Sequence, residues 1–230
     1  MSGKQIVRGI IGLAALCLIT TAGYGGDFRL FVLAGGSSFS NNHTFTVASV
    51  NWRSGYATGG KVIVGGEYPL NKILGFEAAY ASGRNNLRLT NLTSLNRTAG
   101  FGVGSHRLSG NLVLHAPIAL LRLRPYLTAG IEYDRFSPAR GAETVVATSG
   151  FTGSTSVTLN ADNKLGFNYG GGVEWKLLRH LGLRLDVRDH VTGSPRFGLS
   201  MQSGVTGAFP VSGTAQGIEY SAGVVLHLGK

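Results

Sequence analysis

Residues 164–175 read KLGFNYGGGVEW and carry the clearest two-residue period in the chain. One set of alternate positions carries the large apolar and aromatic side chains Leu165, Phe167, Tyr169, Val173 and Trp175. Small, polar or charged residues occupy the other set, from Lys164 to Glu174. Successive side chains of a β-strand point to opposite faces, so this segment is predicted to be a strand with one apolar and one polar face.

Seven further segments repeat this alternation with varying regularity. The segment 216–228 repeats it best, and 28–36 fits least well because it is apolar on both faces. Residues 43–52, HTFTVASVNW, are interpreted as a loop extension or an extra strand, which would allow about ten strands in all. The eight predicted strands are 28–36, 58–68, 73–81, 106–116, 125–135, 164–175, 181–189 and 216–228.

The connections between these strands alternate in length. Short links are predicted at 69–72, 117–124 and 176–180, and long links rich in Ser, Thr, Asn and Gly lie between the other pairs, at 37–57, 82–105, 136–163 and 190–215. Short periplasmic turns and long outer loops are typical of outer-membrane barrels. Lipid offers no partner for a free backbone N–H or C=O, so strands cross it only in a closed barrel. The sequence therefore predicts an all-β fold, a closed antiparallel up-and-down transmembrane β-barrel of about eight strands.

The first residues have the pattern of an export signal. Lys4 and Arg8 precede an apolar core of about a dozen residues, and small residues follow up to Ala22. This core is too short for a retained transmembrane helix. We predict a signal peptide at 1–22, cleaved after Ala22, and a barrel domain at 23–230. The single cysteine, Cys17, lies in the signal peptide.

The stretch GGGVEWKLLRHLGLRLDVRD at 170–189 resembles the penultimate hairpin of small outer-membrane barrels of the outer-membrane-protein-A type, and IEYSAGVVLHL at 218–228 resembles their last strand. The resemblance implies a place in the bacterial outer membrane. It also implies contact with outer-membrane lipid and lipopolysaccharide, and assembly by the barrel insertion machinery. Members usually end on an aromatic residue that this machinery reads, whereas this chain ends Leu228-Gly229-Lys230.

The polar faces of the strands are expected to line the interior. The interior of an eight-stranded barrel is just wide enough to be filled by side chains, and a lone buried ion costs several kcal/mol, so the charges must pair. A salt-bridged plug is the favoured interpretation, and a narrow polar pore opened by exchange of partners is the alternative. The predicted lumen network comprises Lys61, Glu67, Glu77, Arg107, Glu132, Lys164, Glu174, Arg184, Asp186, Arg188 and Glu219.

Aromatic residues fall near the predicted strand ends. Tyr and Trp favour the headgroup zone, where an apolar ring and a polar tip are both satisfied. The predicted interfacial aromatics are Phe28, Tyr68, Tyr80, Tyr126, Tyr133, Trp175 and Tyr220.

Other chemistries find little support. The formal net charge of +10 fits contact with anionic lipid or polysaccharide, but no dense basic run interleaved with aromatics indicates nucleic-acid binding. The histidines lack paired metal-ligand spacing, and no cofactor or catalytic site is expected. His106 and Ser109 should face opposite sides of one strand, and Asp186, Asp189 and His190 match no protease motif.

These patterns predict a structural or surface-interaction protein, acting in envelope integrity or in adhesion through long outer loops that meet an unknown extracellular ligand. A small porin-like channel is the alternative. A soluble exported ligand-binding barrel is the second alternative.

Overall fold

The computed structural model describes residues 28–39, 43–47, 50–93, 98–117, 122–144, 158–199 and 213–229. The predicted signal peptide and Cys17 lie outside these residues. Within the described ranges, no helix is long and apolar enough to cross a membrane. The ten strands are β1 (Arg29–Phe39), β2 (His43–Val47), β3 (Val50–Tyr56), β4 (Gly59–Pro69), β5 (Leu74–Asn91), β6 (Thr98–His115), β7 (Leu123–Pro138), β8 (Asp162–Lys176), β9 (Leu181–Gly193) and β10 (Thr214–His227).

Eight of these strands close into a ring. The order is β1-β4-β5-β6-β7-β8-β9-β10, and β10 pairs with β1 from Arg29↔His227 to Phe39↔Gly217. Every neighbouring pair is antiparallel. The ring confirms the predicted closed barrel, and each of its strands matches one of the eight predicted segments.

The residues following β1 form an additional hairpin. β2 pairs with β3, and β3 pairs with the outer end of β5 from Trp52↔Asn91 to Tyr56↔Leu87. β3 and β4 therefore follow one another along β5, separated only at residues 57–58. This leaves β2 as a strand outside the ring. Of the two alternatives for residues 43–52, a loop extension or an extra strand, the structure has strands.

The ring continues well beyond the length that a membrane requires. β5 and β6 each have 18 residues, whereas a tilted span needs about 9–11. Much of the predicted loop 82–105 is therefore strand, and its prediction as a loop was wrong. The cause is a reversal of polarity in this extension: Leu87 and Phe101 face inward and are buried, while Arg88 faces outward and is exposed. An apolar outer face, the feature that marks the other strand segments in the sequence, is therefore absent from this extension of β5.

Two interior glycines make room for large polar neighbours. A Cβ at Gly172 would collide with the Leu185 carbonyl oxygen and the Tyr126 hydroxyl, and a Cβ at Gly130 would collide with Asn111. Absence of a side chain at these positions lets larger side chains cross the interior.

Candidate functional site: the barrel interior

The middle of the interior is filled by two arginines and two carboxylates from β5 and β9. Glu77 Oε2 accepts a hydrogen bond from Arg184 Nη2 at 2.7 Å, and Glu77 Oε1 accepts one from Arg188 Nη1 at 2.8 Å. Asp186 Oδ1 accepts from Arg188 Nε at 2.7 Å, and its Oδ2 accepts from Arg184 Nη2 at 2.9 Å. Each arginine contacts two carboxylates, so the four charges balance inside the ring.

Two aromatic rings enclose the guanidinium of Arg184. Its Cζ lies 4.5 Å from the ring centroids of both Phe31 and Tyr126, within cation–π range. The Tyr126 hydroxyl accepts from Arg184 Nε at 2.7 Å and donates to Asp186 Oδ2 at 2.5 Å. The prediction of Tyr126 as an interfacial aromatic is therefore wrong. Tyr126 occupies an inward position of β7, where its hydroxyl finds charged partners, and it is 4% exposed.

Nearer the outer end, two cations face three carboxylates. Arg107 Nε donates to Asp134 Oδ1 at 2.9 Å, and Arg107 Nη1 donates to Glu219 Oε2 at 3.0 Å. Lys61 Nζ donates to the same Glu219 oxygen. Glu132 Oε2 lies 3.5 Å from Arg107 Nε. This layer brings together residues from β4, β6, β7 and β10 that the sequence placed only on inward faces.

His190 completes the outer layer. Its Nδ1 lies 2.7 Å from Glu132 Oε2, and its Nε2 lies 3.0 Å from Arg107 Nη1. His190 therefore lies between the Arg107 guanidinium and the Glu132 carboxylate and links the two.

A third polar layer lies beside the periplasmic turns. Arg29 Nη1 donates to Glu67 Oε1 at 2.8 Å and lies 2.8 Å from His115 Nε2. That His115 nitrogen lies 2.6 Å from the same Glu67 oxygen. Glu174 Oε1 lies 3.1 Å from His227 Nε2. Three layers of paired charges therefore follow one another along the barrel axis.

Above these layers, the protruding part of the ring contains an apolar cap. The rings of Phe101 and Phe197 meet edge to face with centroids 6.0 Å apart. The segment that carries Phe197 is held down by Arg196, whose backbone N–H donates to Asp162 Oδ2 at 2.7 Å. The buried members of the apolar cap are Trp52, Leu87, Leu89, Phe101, Val103, Phe136, Ala142 and Phe197.

Ten of the eleven residues predicted for the lumen network are buried. Lys164 is the exception, because it lies at the outer end of β8, where its side chain is 18% exposed and pairs with Asp162 at 3.2 Å. Five buried members of the layers were missing from the predicted set, although each occupies an inward alternate position of its strand. These residues are Arg29, Asp134, His115, His190 and His227.

The other predicted interfacial aromatics keep to outward positions. Tyr68, Tyr133, Trp175 and Tyr220 are between 39% and 51% exposed. Phe28 precedes β1 with its ring against Gly66, and Tyr80 stacks on His106 with centroids 6.1 Å apart. Their contact with headgroups stays a prediction.

The residue pairs considered for catalysis are separated by the sheet. Ser109 is buried in the interior, whereas the His106 Nδ1 lies 2.6 Å from the outward Tyr80 hydroxyl. His190 points inward, while Asp189 accepts from Tyr169 and Gln216 on the other face. Over the described ranges, no group of three or more His, Cys, Asp or Glu residues is placed to hold a metal ion.

Burial sorts the charges of the chain. Among the described residues, seven of the ten acidic residues are buried, against five of the 17 basic residues. Twelve basic and three acidic residues of these ranges are thus left for the outer surface and the connections. In this part of the chain, the excess positive charge therefore lies outside the barrel interior.

The outward-facing apolar side chains are the mark of a lipid-exposed wall. Leu108, Ile131 and Leu165 are 58%, 75% and 80% exposed. A wall of this kind around a ring of paired strands with a polar interior defines a transmembrane β-barrel protein.

A family profile described as outer membrane protein beta-barrel domain matches residues 11–209. The chain belongs to this family, and it is a protein of the bacterial outer membrane. No curated protein sequence matches the chain.

The chain is also similar to two solved structures. The outer membrane protein OprG from Pseudomonas aeruginosa is 13% identical and superposes with a TM-score of 0.60, over 90% of this chain and 97% of that one. Neisserial surface protein A is 16% identical with a TM-score of 0.49, over 86% and 96%. The likeness to OprG shows a shared fold.

Proposed function

We propose that this protein is a closed, non-conducting barrel that acts as a structural and surface-interaction protein of the outer membrane. The filled interior is the observation that carries this proposal. Three layers of paired charges cross the lumen and the apolar cap covers them. The cavity beside Phe31, Arg188 and Glu219 has a volume of only about 20 Å³, room for a single water molecule.

Conductance in planar bilayers tests the closed state. We expect no stable current steps from the wild-type protein at any applied voltage. The double variant Glu77→Ala/Arg188→Ala, which removes two of the four charges of the middle layer, should produce flickering current. The variant Lys164→Gln is the matched control, because Lys164 lies outside the layers, and it should stay silent. Regular ohmic steps from the wild-type protein would instead support the porin-like alternative.

The outer rim supplies the surface for interaction. In the register, the outward row Tyr80–Leu108–Tyr133–Leu165 is followed by the row Ser82–His106–Arg135–Asn163. The change from apolar to polar side chains within one row, about 7 Å along the strands, marks the outer edge of the lipid-facing wall.

Arginines cluster at and above this edge. Arg135 is exposed opposite His106 on β7, Arg84 is exposed two residues beyond the Ser82 partner of His106 on β5, and Arg88 lies further out on β5. Arginine matches phosphate with two parallel hydrogen bonds. Lipopolysaccharide presents its phosphates at this depth of the outer leaflet, so we propose that the outer rim binds them and links the barrel to the envelope.

Binding of purified lipopolysaccharide to the detergent-folded protein tests this contact. The double variant Arg84→Gln/Arg135→Gln should bind at least about tenfold more weakly, because a hydrogen bond to a charged group is worth about 1.5–3 kcal/mol. Lys72→Gln, a charge removal at the periplasmic end, should bind like the wild type. Equal binding by all three proteins would contradict the proposed contact.

A further inference from the structure

The periplasmic end of the interior opens into a vestibule that the three charged layers do not fill. Its volume is about 590 Å³, which lies within the range of small-molecule sites in proteins, about 300–1,000 Å³. The lining comes from the ends of β7, β8 and β10 and from the turn after β8. The residues that line the vestibule are Arg122, Arg124, Glu174, Lys176, Leu177, Leu178, Arg179 and His227.

The vestibule is strongly basic. Four of its lining residues are cations, and its one carboxylate, Glu174, already lies 3.1 Å from His227 Nε2. In the part of the chain that the structure describes, no carboxylate lies within ion-pair distance of Arg122, Lys176 or Arg179. The layers above differ, since Arg184 there contacts two carboxylates.

Backbone contacts hold the basic residues in place. Lys176 N–H donates to the Arg122 carbonyl at 3.1 Å, and the Arg122 side chain reaches the Leu177 carbonyl at 3.5 Å. The Arg124 side chain donates to the Lys72 carbonyl at 2.7 Å, which ties β7 to the turn before β5. These hydrogen bonds connect the segments that carry the cations lining the vestibule.

Arg122 adopts a conformation that would suit glycine better. Its φ is 67°, in the left-handed region that costs a non-glycine residue about 1–2 kcal/mol. Strained positions of this kind cluster at ligand sites, where a particular side chain is needed in spite of the cost. The strain at Arg122 is a second feature, independent of the charge, that indicates a binding role.

We propose that the vestibule binds a phosphate-bearing anion from the periplasmic side. Guanidinium groups pair with phosphate oxygens through charge-assisted hydrogen bonds, and the available volume accommodates a headgroup-sized molecule. Leu178, which is 65% exposed beside these cations, adds an apolar edge. The phosphate comes either from a phospholipid headgroup of the inner leaflet or from a soluble phosphate compound.

Calorimetric titration of the full chain, folded in a neutral detergent at low salt, tests the proposal. The probes are inorganic phosphate and a short-chain phosphatidylglycerol. The variant is Arg122→Gly/Lys176→Gln/Arg179→Gln, in which glycine also relieves the strain at 122. The matched control is Arg53→Gln/Arg140→Gln, which removes two exposed charges at the opposite end of the barrel, neither of them among the rim arginines named above. Heat-modifiable gel mobility verifies folding.

The wild type and the control should bind at least one probe with one-to-one stoichiometry, and the triple variant should bind it at least about tenfold more weakly. Tighter binding of the lipid assigns the site to headgroups, and equal binding of inorganic phosphate assigns it to soluble compounds. Both results support the site. If the triple variant does not fold, the exposed-residue variants Lys176→Gln and Arg179→Gln are titrated singly. Absence of binding by the wild type, or equal loss in the control, overturns the proposal.

Discussion

Arg184 and Glu77 form an ion pair at the centre of the barrel, with 2.7 Å between Nη2 and Oε2, although 107 residues separate them in the chain. Arg184 is 1% exposed and Glu77 is fully buried. The pair joins β9 to β5, which are not neighbours in the ring. It therefore ties opposite parts of the wall together across the interior.

Removal of one partner of this pair should destabilise the barrel strongly. Arg184→Met leaves Glu77 and Asp186 each with one arginine fewer, and breaking a buried pair costs about 3–5 kcal/mol. The free energy of unfolding by urea in lipid vesicles measures the loss. Lys164→Gln removes a partly exposed pair and should cost no more than about 1 kcal/mol. Similar losses for the two variants would show that the charged layers do not support the wall.

The polarity switch along the outer face can be measured at two positions. Leu112→Lys places a charge on the lipid-facing wall, four residues further from its outer edge than Leu108, where it should cost about 2–4 kcal/mol. Asn86→Lys lies above the proposed edge and should change stability by less than about 0.5 kcal/mol. Both are measured as folding free energies in vesicles. A large penalty at Asn86 would place the edge of the lipid further out than the register indicates.

The interior glycines predict a contrast between two alanine substitutions. Gly172→Ala places a methyl group against the Tyr126 hydroxyl and the Leu185 carbonyl, and overpacking of this kind costs about 1–3 kcal/mol. Gly60→Ala meets no atom within 4 Å, so it should be neutral or slightly stabilising. Urea unfolding in vesicles compares the two. A neutral Gly172→Ala would mean that Tyr126 is free to move away from Asp186.

Acidification should release the segment that carries Phe197. Partial burial raises the pKa of Asp162, but the hydrogen bonds from the Arg196 amide and from Lys164, with the lysine charge, outweigh burial and hold that pKa below its usual value of 3.8. Because this pKa is lower in the folded protein than in the unfolded chain, the contact stabilises the fold above pH 3.8 and is lost as the pH falls through the lowered value.

The Arg196 amide resonance reports this titration directly. It should shift with a midpoint below pH 3.8 in the wild type, and it should show no such step in Asp162→Asn. A midpoint at or above 3.8 would contradict the contact between the Arg196 amide and the carboxylate.

Much of the barrel could be predicted because the backbone of a strand imposes a fixed alternation. Residues 164–175 place Leu165 and Phe167 on one face and Glu174 on the other. In a membrane, the first face is predicted to contact lipid and the second to line the interior. The same parity, which depends only on counting residues, predicts inward positions for Glu77, Arg107 and Arg184, and these side chains are buried.

The partners of these charges could not be predicted in the same way. The two-residue alternation predicts that Glu77 and Arg184 face inward. The register between neighbouring strands, summed around the ring, decides at which height along the barrel axis each side chain lies. Tyr126 was assigned to the wrong face because its ring alone suits a membrane interface as well as an interior, and only the neighbouring Arg184 and Asp186 explain its burial.

The sequence by itself determined a closed antiparallel ring and the two-residue division between faces, since these follow from backbone hydrogen bonding and local side-chain order. It left the number of strands at eight or ten, and the pairing of β10 with β1 decided for eight in the ring. The tertiary structure alone decided where the surroundings change from lipid to water. Beyond that edge the outer face of the wall meets water in place of lipid. Leu87 and Phe101 therefore lie on the inner face, where they are buried, because apolar side chains are stabilised by removal from water.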